Sequence, residues 1–319
     1  MGEAQKMDIS VVLATYNRAA SLQITLESFA SLKIPPTLDW ELLVVDNNSS
    51  DDTASTVNRL IDRMGVRVRY LFEGRQGRSA ALNAGIAQAK GEIIAFTDDD
   101  VILDPNWLTE IHAAFNDSSV SAAAGRIFPL WEHAQPKWLE MEGQQAVVHF
   151  DLGDEPQIIQ IAPMGANSAF RREAFSKYGL FRLDLGVRGS KHTITCDDTE
   201  FGGRLMAAGE KIAYCPAAVI HHPVDPARST KKYFLTWYFY NGVSLTRSGG
   251  LPTEGVFYFG APRWLYGRFL RDVGSWFVTL NPERRFQSKL RACRSVGQIV
   301  ECFRLSRGKT KLGAQLAAS

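Results

Sequence analysis

An apolar run that stops in three consecutive carboxylates, Glu92-Ile-Ile-Ala-Phe-Thr-Asp-Asp-Asp-Val101, constrains this chain more than any other stretch. Ile93, Ile94, Ala95 and Phe96 follow the breaker Gly91 and are too few for a helix, so they predict a short buried strand with the acids at its carboxyl end. That edge of an open parallel sheet is where ligands bind. Side chains alternate along an extended chain, so Asp98 and Asp100 converge while Asp99 faces away. Two convergent carboxylates repel unless a cation sits between them, and oxygen ligands of this kind suit magnesium, manganese or calcium. The structural alternative is a solvated acidic turn, with Asp104 and Pro105 opening the next helix.

The units around this strand repeat one pattern. Asp8–Ala14 predicts a first strand, running through Thr15-Tyr16-Asn17-Arg18 into a helix capped by Ser21. Trp40–Val45 predicts a second strand, followed by the cap-rich loop Asp46–Thr53 and a helix to about Met64. A third strand over Arg67–Phe72 leads through Gly74-Arg-Gln-Gly-Arg78 into a helix over Ser79–Lys90. Alternating units of this kind imply a doubly wound α/β sheet, with these loops gathered on one edge. There Asp46 suits a ribose or base edge, and Arg78 at a helix start suits a diphosphate. No phosphate-binding glycine fingerprint is present, so phosphate binding leans on a metal and arginine.

Further along, residues 120–128 and Gln157–Ile161 predict strands, the latter entering a helix within Gly165–Phe175. The stretch from Pro129 to Pro156 scatters Trp131, Trp138 and His149 without a readable pattern. Asp197 and Asp198 stand at the start of a helix, where acids meet the favourable end of the dipole or serve as a general base. His221 and His222 follow a strand and offer a third metal ligand.

Charge divides the 319 residues. Residues 228–319 carry 16 Lys/Arg against 4 Asp/Glu, while residues 1–227 carry 20 against 30, within a net charge of only +2. Such asymmetry points the tail at a polyanion or an anionic membrane surface. Within it, Leu265, Phe269, Val273, Trp276 and Leu280 recur at helical spacing among Arg263, Arg268 and Arg271, a pattern that fits an interfacial helix or a stripe packed on the rest of the protein. The four cysteines lack Cys-x-x-Cys spacing, which argues against structural zinc and fits a reducing compartment. The amino terminus lacks the apolar core of a signal peptide, so a cytoplasmic location is expected, free or peripheral at the inner face of the plasma membrane. Nothing points to nucleic acid.

Taken in order, Val11-Val-Leu-Ala-Thr-Tyr-Asn-Arg18, Val44-Val-Asp-Asn-Asn-Ser-Ser-Asp-Asp-Thr53, Gly77-Arg-Ser-Ala-Ala-Leu-Asn-Ala-Gly85, Asp98-Asp-Asp100, Met164-Gly-Ala-Asn-Ser-Ala-Phe-Arg-Arg172, Asp197-Asp198 and the His221 strand resemble the family 2 glycosyltransferases. The resemblance implies an inverting enzyme with the GT-A fold, a mixed and mainly parallel sheet over residues 1–226, followed by a mainly helical extension over 227–319. It implies a nucleotide-sugar donor, a saccharide or lipid-linked saccharide acceptor, and manganese or magnesium as cofactor. By position, Thr15 and Asp46 contact the nucleoside, Asp98 the ribose, Asp100 the metal, and Asp198 the acceptor hydroxyl as base. Tyr16, Asn17, Arg18, Asn48, Arg78, Asn83 and Asp99 complete the donor set, and Gly165 and Asn167 meet the acceptor. The family usually has Glu where Asp197 stands, which leaves the division of work between Asp197 and Asp198 open. Of the two histidines, position favours His221 as the metal ligand, beside Asp98 and Asp100. The competing classes are a sugar-phosphate nucleotidyltransferase, whose glycine-rich first loop with lysine is missing here, and a nucleotide- or polysaccharide-binding module without turnover.

Overall fold

The computed structural model describes residues 7–61, 67–139, 144–189, 194–250 and 254–316. Contacts divide the chain into two units. The first comprises Met1–Leu130, Val148–His192 and Asp197–Pro223, and the second comprises Trp131–Val147, Thr193–Cys196 and Val224–Ser319. The sequence boundary at residue 226 therefore misses the segment around Trp138. Its indole packs edge-on against Phe234 and Phe286, with ring centroids 5.0 and 5.2 Å away, and so joins the carboxy-terminal helices.

In the first unit β1 (Ile9–Thr15), α1 (Ala19–Ala30), β2 (Trp40–Asp46), α2 (Thr53–Ile61), β3 (Val68–Phe72), α3 (Arg78–Gln88) and β4 (Ile93–Thr97) form the expected βα series. Its four strands are mutually parallel in the order β3-β2-β1-β4. Then come β5 (Ile102–Leu103), α4 (Trp107–Ala113), β6 (Val120–Leu130), β7 (Gln157–Ile159), β8 (Asn167–Arg171), α5 (Arg172–Tyr178), α6 (Asp197–Ala207) and β9 (Lys211–Pro223). The sheet continues β4-β8-β6-β9-β5, with β7 on β9. Here β8 runs antiparallel to both β4 and β6, whereas β6 and β9 are parallel, so the sheet is mixed.

Two local expectations are corrected. The segment opening at Gly165 gives a central strand before its helix, because Asn167–Arg171 fills the gap between β4 and β6. Helix α1 starts two residues ahead of Ser21. Its first free amide, Ala19 N, donates to Asp51 Oδ2 at 3.1 Å, so a carboxylate from the next loop does the capping.

Below the acid edge lies an aromatic cluster. Phe96 meets Phe170, Phe175 and Phe181 edge to face, and Phe175 stacks on Phe201 at 4.7 Å. These rings couple the last apolar residue of β4 to α5 and α6, which fixes the strand end carrying the acids relative to the helix carrying Asp197 and Asp198.

The opposite end of the parallel strands is held by a fully buried carboxylate. Glu41 accepts from Ser10 Oγ at 2.8 Å, Lys90 N at 3.0 Å and Arg69 at 3.0 Å, tying β1, β2, β3 and the end of α3 together. Burial pushes this carboxyl up, but the Ser10, Arg69 and Lys90 contacts outweigh it and hold it below the usual glutamate range. A carboxyl depressed in the folded state stabilises at pH values above its unfolded pKa. That contribution begins to fall at the ordinary glutamate value and is lost as the pH drops on through the depressed folded-state value. Glu41→Ala, which removes the acceptor shared by Ser10, Lys90 and Arg69 while Arg69 keeps Gln88, should cost about 2–3 kcal/mol in urea unfolding at neutral pH. The gap between variant and parent should shrink toward pH 3.

In the second unit α7 (Lys231–Gly249) and α9 (Pro282–Leu316) pack along each other, with the hairpin β10 (Phe257–Tyr258) and β11 (Ala261–Pro262) and the helix α8 (Arg263–Val278) between them in sequence. Contact between α7 and α9 is backbone to backbone. A side chain at Gly242 would strike the Arg294 carbonyl, and one at Gly297 would strike the Phe239 carbonyl. Among the described residues no helix is long and apolar enough to cross a membrane.

Candidate active site

The carboxyl ends of β1, β2 and β4 deliver the site. Asp98 and Asp100 converge, and the third group within 4.8 Å is His222, not His221. Along β9 the buried positions are Ile212, Tyr214, Pro216, Ala218, Ile220 and His222, so the strand period turns His222 inward and His221 to the other face. There His221 stacks on Phe128, its partner across the ladder, at 6.1 Å. His222 Nδ1 lies 3.1 Å from the Pro223 carbonyl, which can only accept, so Nδ1 carries the proton. In the neutral ring this leaves the Nε2 lone pair 3.3 Å from Asp100 Oδ1. Two acceptors facing each other beside a second carboxylate are the arrangement that a shared cation relieves. Two carboxylates and an imidazole fit manganese or magnesium.

Asp99 turns away from this cluster, as alternation requires. It accepts from Thr15 Oγ1 at 2.7 Å and from Arg18 at 3.0 Å, and Arg18 also reaches Asp100. Burial pushes the Asp99 carboxyl up to about 6 even against Arg18, with Asp100 and Asp98 adding to the rise. Thr15 is therefore occupied in seating the acid block.

Arg78 joins the two halves of the site. It donates to Asp98 Oδ1 at 3.1 Å and to Asp197 Oδ2 at 2.8 Å, bridging the end of β4 to the start of α6. Asp197 is 4% exposed and committed to this pair. Asp198 is more open. Its Oδ2 accepts from Gly165 N at 2.8 Å and its Oδ1 from Thr199 N at 2.6 Å. Burial, with Asp197 alongside, pushes the Asp198 carboxyl up despite Arg78 and these donors, the direction that equips a base. Gly165 has no room for a side chain, since a Cβ there would lie 2.5 Å from the Arg78 guanidinium. Its part is to hold Asp198.

Several predicted binding residues are spent on architecture. Asn167 is fully buried, accepting from Trp107 Nε1 at 2.8 Å and donating to the Arg126 and Ala218 carbonyls, so it meets no acceptor. Asn83 exchanges hydrogen bonds with the backbone of Phe181 and so fixes the loop before α6. Asn17, in the left-handed region at φ 51°, accepts from Ser50 N at 2.7 Å and clips the first loop to the second. Tyr16 is half-buried and Asn48 exposed at φ 64°, both on the same loops.

Asp46 is 2% exposed, accepting from Ser49 N at 2.9 Å and from Tyr70 Oη at 2.7 Å. Burial and Asp46 together push the Tyr70 hydroxyl up to about 12, so it stays a donor. Tyr70 and Asn47 were not expected from the sequence. Asn47 Oδ1 accepts from Gly77 N at 2.7 Å while its amide donates to the Glu73 and Arg75 carbonyls, shaping the loop that presents Arg78. The only cue for Asn47 was its place in a loop dense with amides, and Tyr70 carried none.

The fold and the site together are those of a GT-A glycosyltransferase. Residues 10–179 match the model of Glycosyl transferase family 2, and the chain belongs to that family. It is 25% identical over 246 residues to the succinoglycan biosynthesis protein ExoM of Rhizobium meliloti, covering 75% of this chain and 74% of that protein. It is 31% identical over 228 residues to the glycosyltransferase AglE of Haloferax volcanii, covering 68% and 67% of the two chains. Among solved structures, the mannosyltransferase PcManGT from Pyrobaculum calidifontis, in complex with GDP-Man and Mn2+, superposes with a TM-score of 0.58 at 18% identity. That match covers 99% of this chain and 82% of the other.

Proposed function

We propose that this glycosyltransferase moves a sugar from a nucleoside-diphosphate sugar to a hydroxyl of a saccharide or lipid-linked saccharide acceptor, with inversion, during assembly of a cell-surface polysaccharide. The observation that carries the reading is the bridge through Arg78, which ties the Asp98, Asp100 and His222 cluster to the Asp197–Asp198 pair. Asp98, Asp100 and His222 would hold manganese or magnesium, which when bound neutralises charge on a departing diphosphate. The chain's own groups do the rest. Asp198, raised and partly open, accepts the proton of the acceptor hydroxyl as it attacks the anomeric carbon. Arg78 orients Asp197 and Asp98 and offers its guanidinium to phosphate oxygens. Asp46 and Asn48, on the loop that Asn17 clips in place, frame the nucleoside side. The name of ExoM, a succinoglycan biosynthesis protein, supports the polysaccharide setting. We place the work at the inner face of a membrane, where a lipid-linked acceptor would lie.

Incubating the protein with a panel of uridine and guanosine diphosphate sugars and Mn2+ should give slow release of nucleoside diphosphate from one donor, abolished by chelation. Pyrophosphate release from a nucleoside triphosphate and a sugar phosphate would instead assign a nucleotidyltransferase. No turnover of any donor, with nucleotide binding intact, would reduce the protein to a binding module.

A further inference from the structure

Helix α8 is apolar on two sides. Its inner side is satisfied: Leu265 is buried, and Asp272 is buried and paired with Arg291 of α9. The expected stripe of Phe269, Val273 and Trp276 is half-buried on that side. A second stripe, at 264, 267, 270, 274 and 277–278, faces out, with Trp264 56%, Leu270 65%, Phe277 74% and Val278 77% exposed. With Arg263 and Arg271 exposed beside it, this outward stripe is an apolar face with a basic edge and no packing partner on its own helix. Just past it Leu280 is 95% exposed, the most open large apolar residue described.

We propose that the second unit docks on an anionic lipid surface through the outward side of α8 and the turn between α8 and α9. The reading above supplies the place of work, but the surface argument does not depend on the chemistry. Three observations select a bilayer over another occupant. Three of the four most exposed large apolar side chains among the described residues, Phe277, Val278 and Leu280, cluster at the end of α8 and the turn after it, a tip that enters a deformable interface without needing a matching hole. That tip is held rigid. Ser275 Oγ lies 2.9 Å from Ser288 Oγ, and Asn281 Oδ1 caps α9 by accepting from Glu283 N and Arg284 N. Arg284 and Arg285 stand exposed just past it and Arg271 and Arg263 further back along α8, complementary to anionic headgroups. Two of the four acids of the tail, Asp272 and Glu301, are already paired with arginines and do not oppose them. The hairpin before α8 adds Phe259 at 82% exposure. This is an amphipathic surface contact, not a span.

The test is sedimentation of the full chain with extruded vesicles of phosphatidylcholine alone or mixed with phosphatidylglycerol, at low and high salt. Binding should require the anionic lipid and weaken with salt. Phe277→Ser with Leu280→Ser should reduce the partition coefficient about tenfold to a hundredfold, the worth of one to two buried side chains. Arg284→Gln with Arg285→Gln, which alters only exposed positions, should reduce it about fivefold per residue. Both variants should hydrolyse a soluble donor at the parental rate, so a failed vesicle result is separable from a failed glycosyltransferase reading. Equal binding to neutral vesicles, no binding to anionic ones, or variants that bind like the parent would overturn the proposal. So would a dimer seen by light scattering and dispersed by the same substitutions, since the face would then belong to a second copy.

Discussion

Replacing Asp198 with asparagine should lower glycosyl transfer by about 10²- to 10⁴-fold while nucleotide-sugar binding stays unchanged. The substitution is nearly isosteric, and the amide oxygen can still accept from Gly165 N or Thr199 N. What it removes is the capacity to take a proton. Single-turnover transfer beside calorimetric titration with the donor separates the two effects, and retained turnover would reject the assignment. The neighbouring acid behaves differently. Asp197 is buried against Arg78, so Asp197→Asn should loosen the bridge to Asp98 and lower the melting temperature as well as the rate. The pH profile adds a second discriminator. Because burial and Asp197 push the Asp198 carboxyl up, the rate should fall on its acid side at a pH above the ordinary aspartate range. That limb reports the base losing its free, deprotonated form, and it should disappear from the residual activity of Asp198→Asn.

Asp100→Ala should abolish manganese-dependent turnover and manganese binding together. Losing an outer partner of a metal ligand already costs about tenfold to a hundredfold in affinity, and loss of one of three ligands exceeds that. Electron paramagnetic resonance of added Mn2+ reads the binding without reference to activity. The comparison of His222→Ala with His221→Ala is decisive here. Removing His222 should weaken manganese, while removing His221 should only unstack Phe128. An equal effect of both would dissolve the cluster as a metal site.

Those residues also show what a single sequence discloses. The βα series and the placement of the acids at one edge followed from apolar runs and caps, because strand identity there is a local property. Parity along β9 was not legible, because Ala213, Cys215 and Val219 are apolar like their neighbours and only burial separates the faces. Ile212, Tyr214, Ala218 and Ile220 alternate inward, and extending that period by one step reaches His222 instead of His221. The family pattern pointed one residue short. The partners of Asn83 and Asn167 were not legible. Their amides look like ligand contacts in sequence, and only the approach of Phe181, Trp107 and Ala218 from distant chain shows them consumed. Strand β8 was read as a helix start because its place between β4 and β6 is decided by the sheet, not by its five residues. The same holds for Trp138, whose environment comes from rings roughly a hundred residues on or more.

The bare glycine crossings of α7 and α9 set how the second unit opens. With the Gly242 and Gly297 backbones touching the facing carbonyls, neither helix can slide or tilt past its partner without a collision that no rotamer change relieves. The two helices therefore come apart together or not at all. Their interior amides would then exchange with solvent as one slow class, while the projecting tip of the neighbouring hairpin exchanges freely.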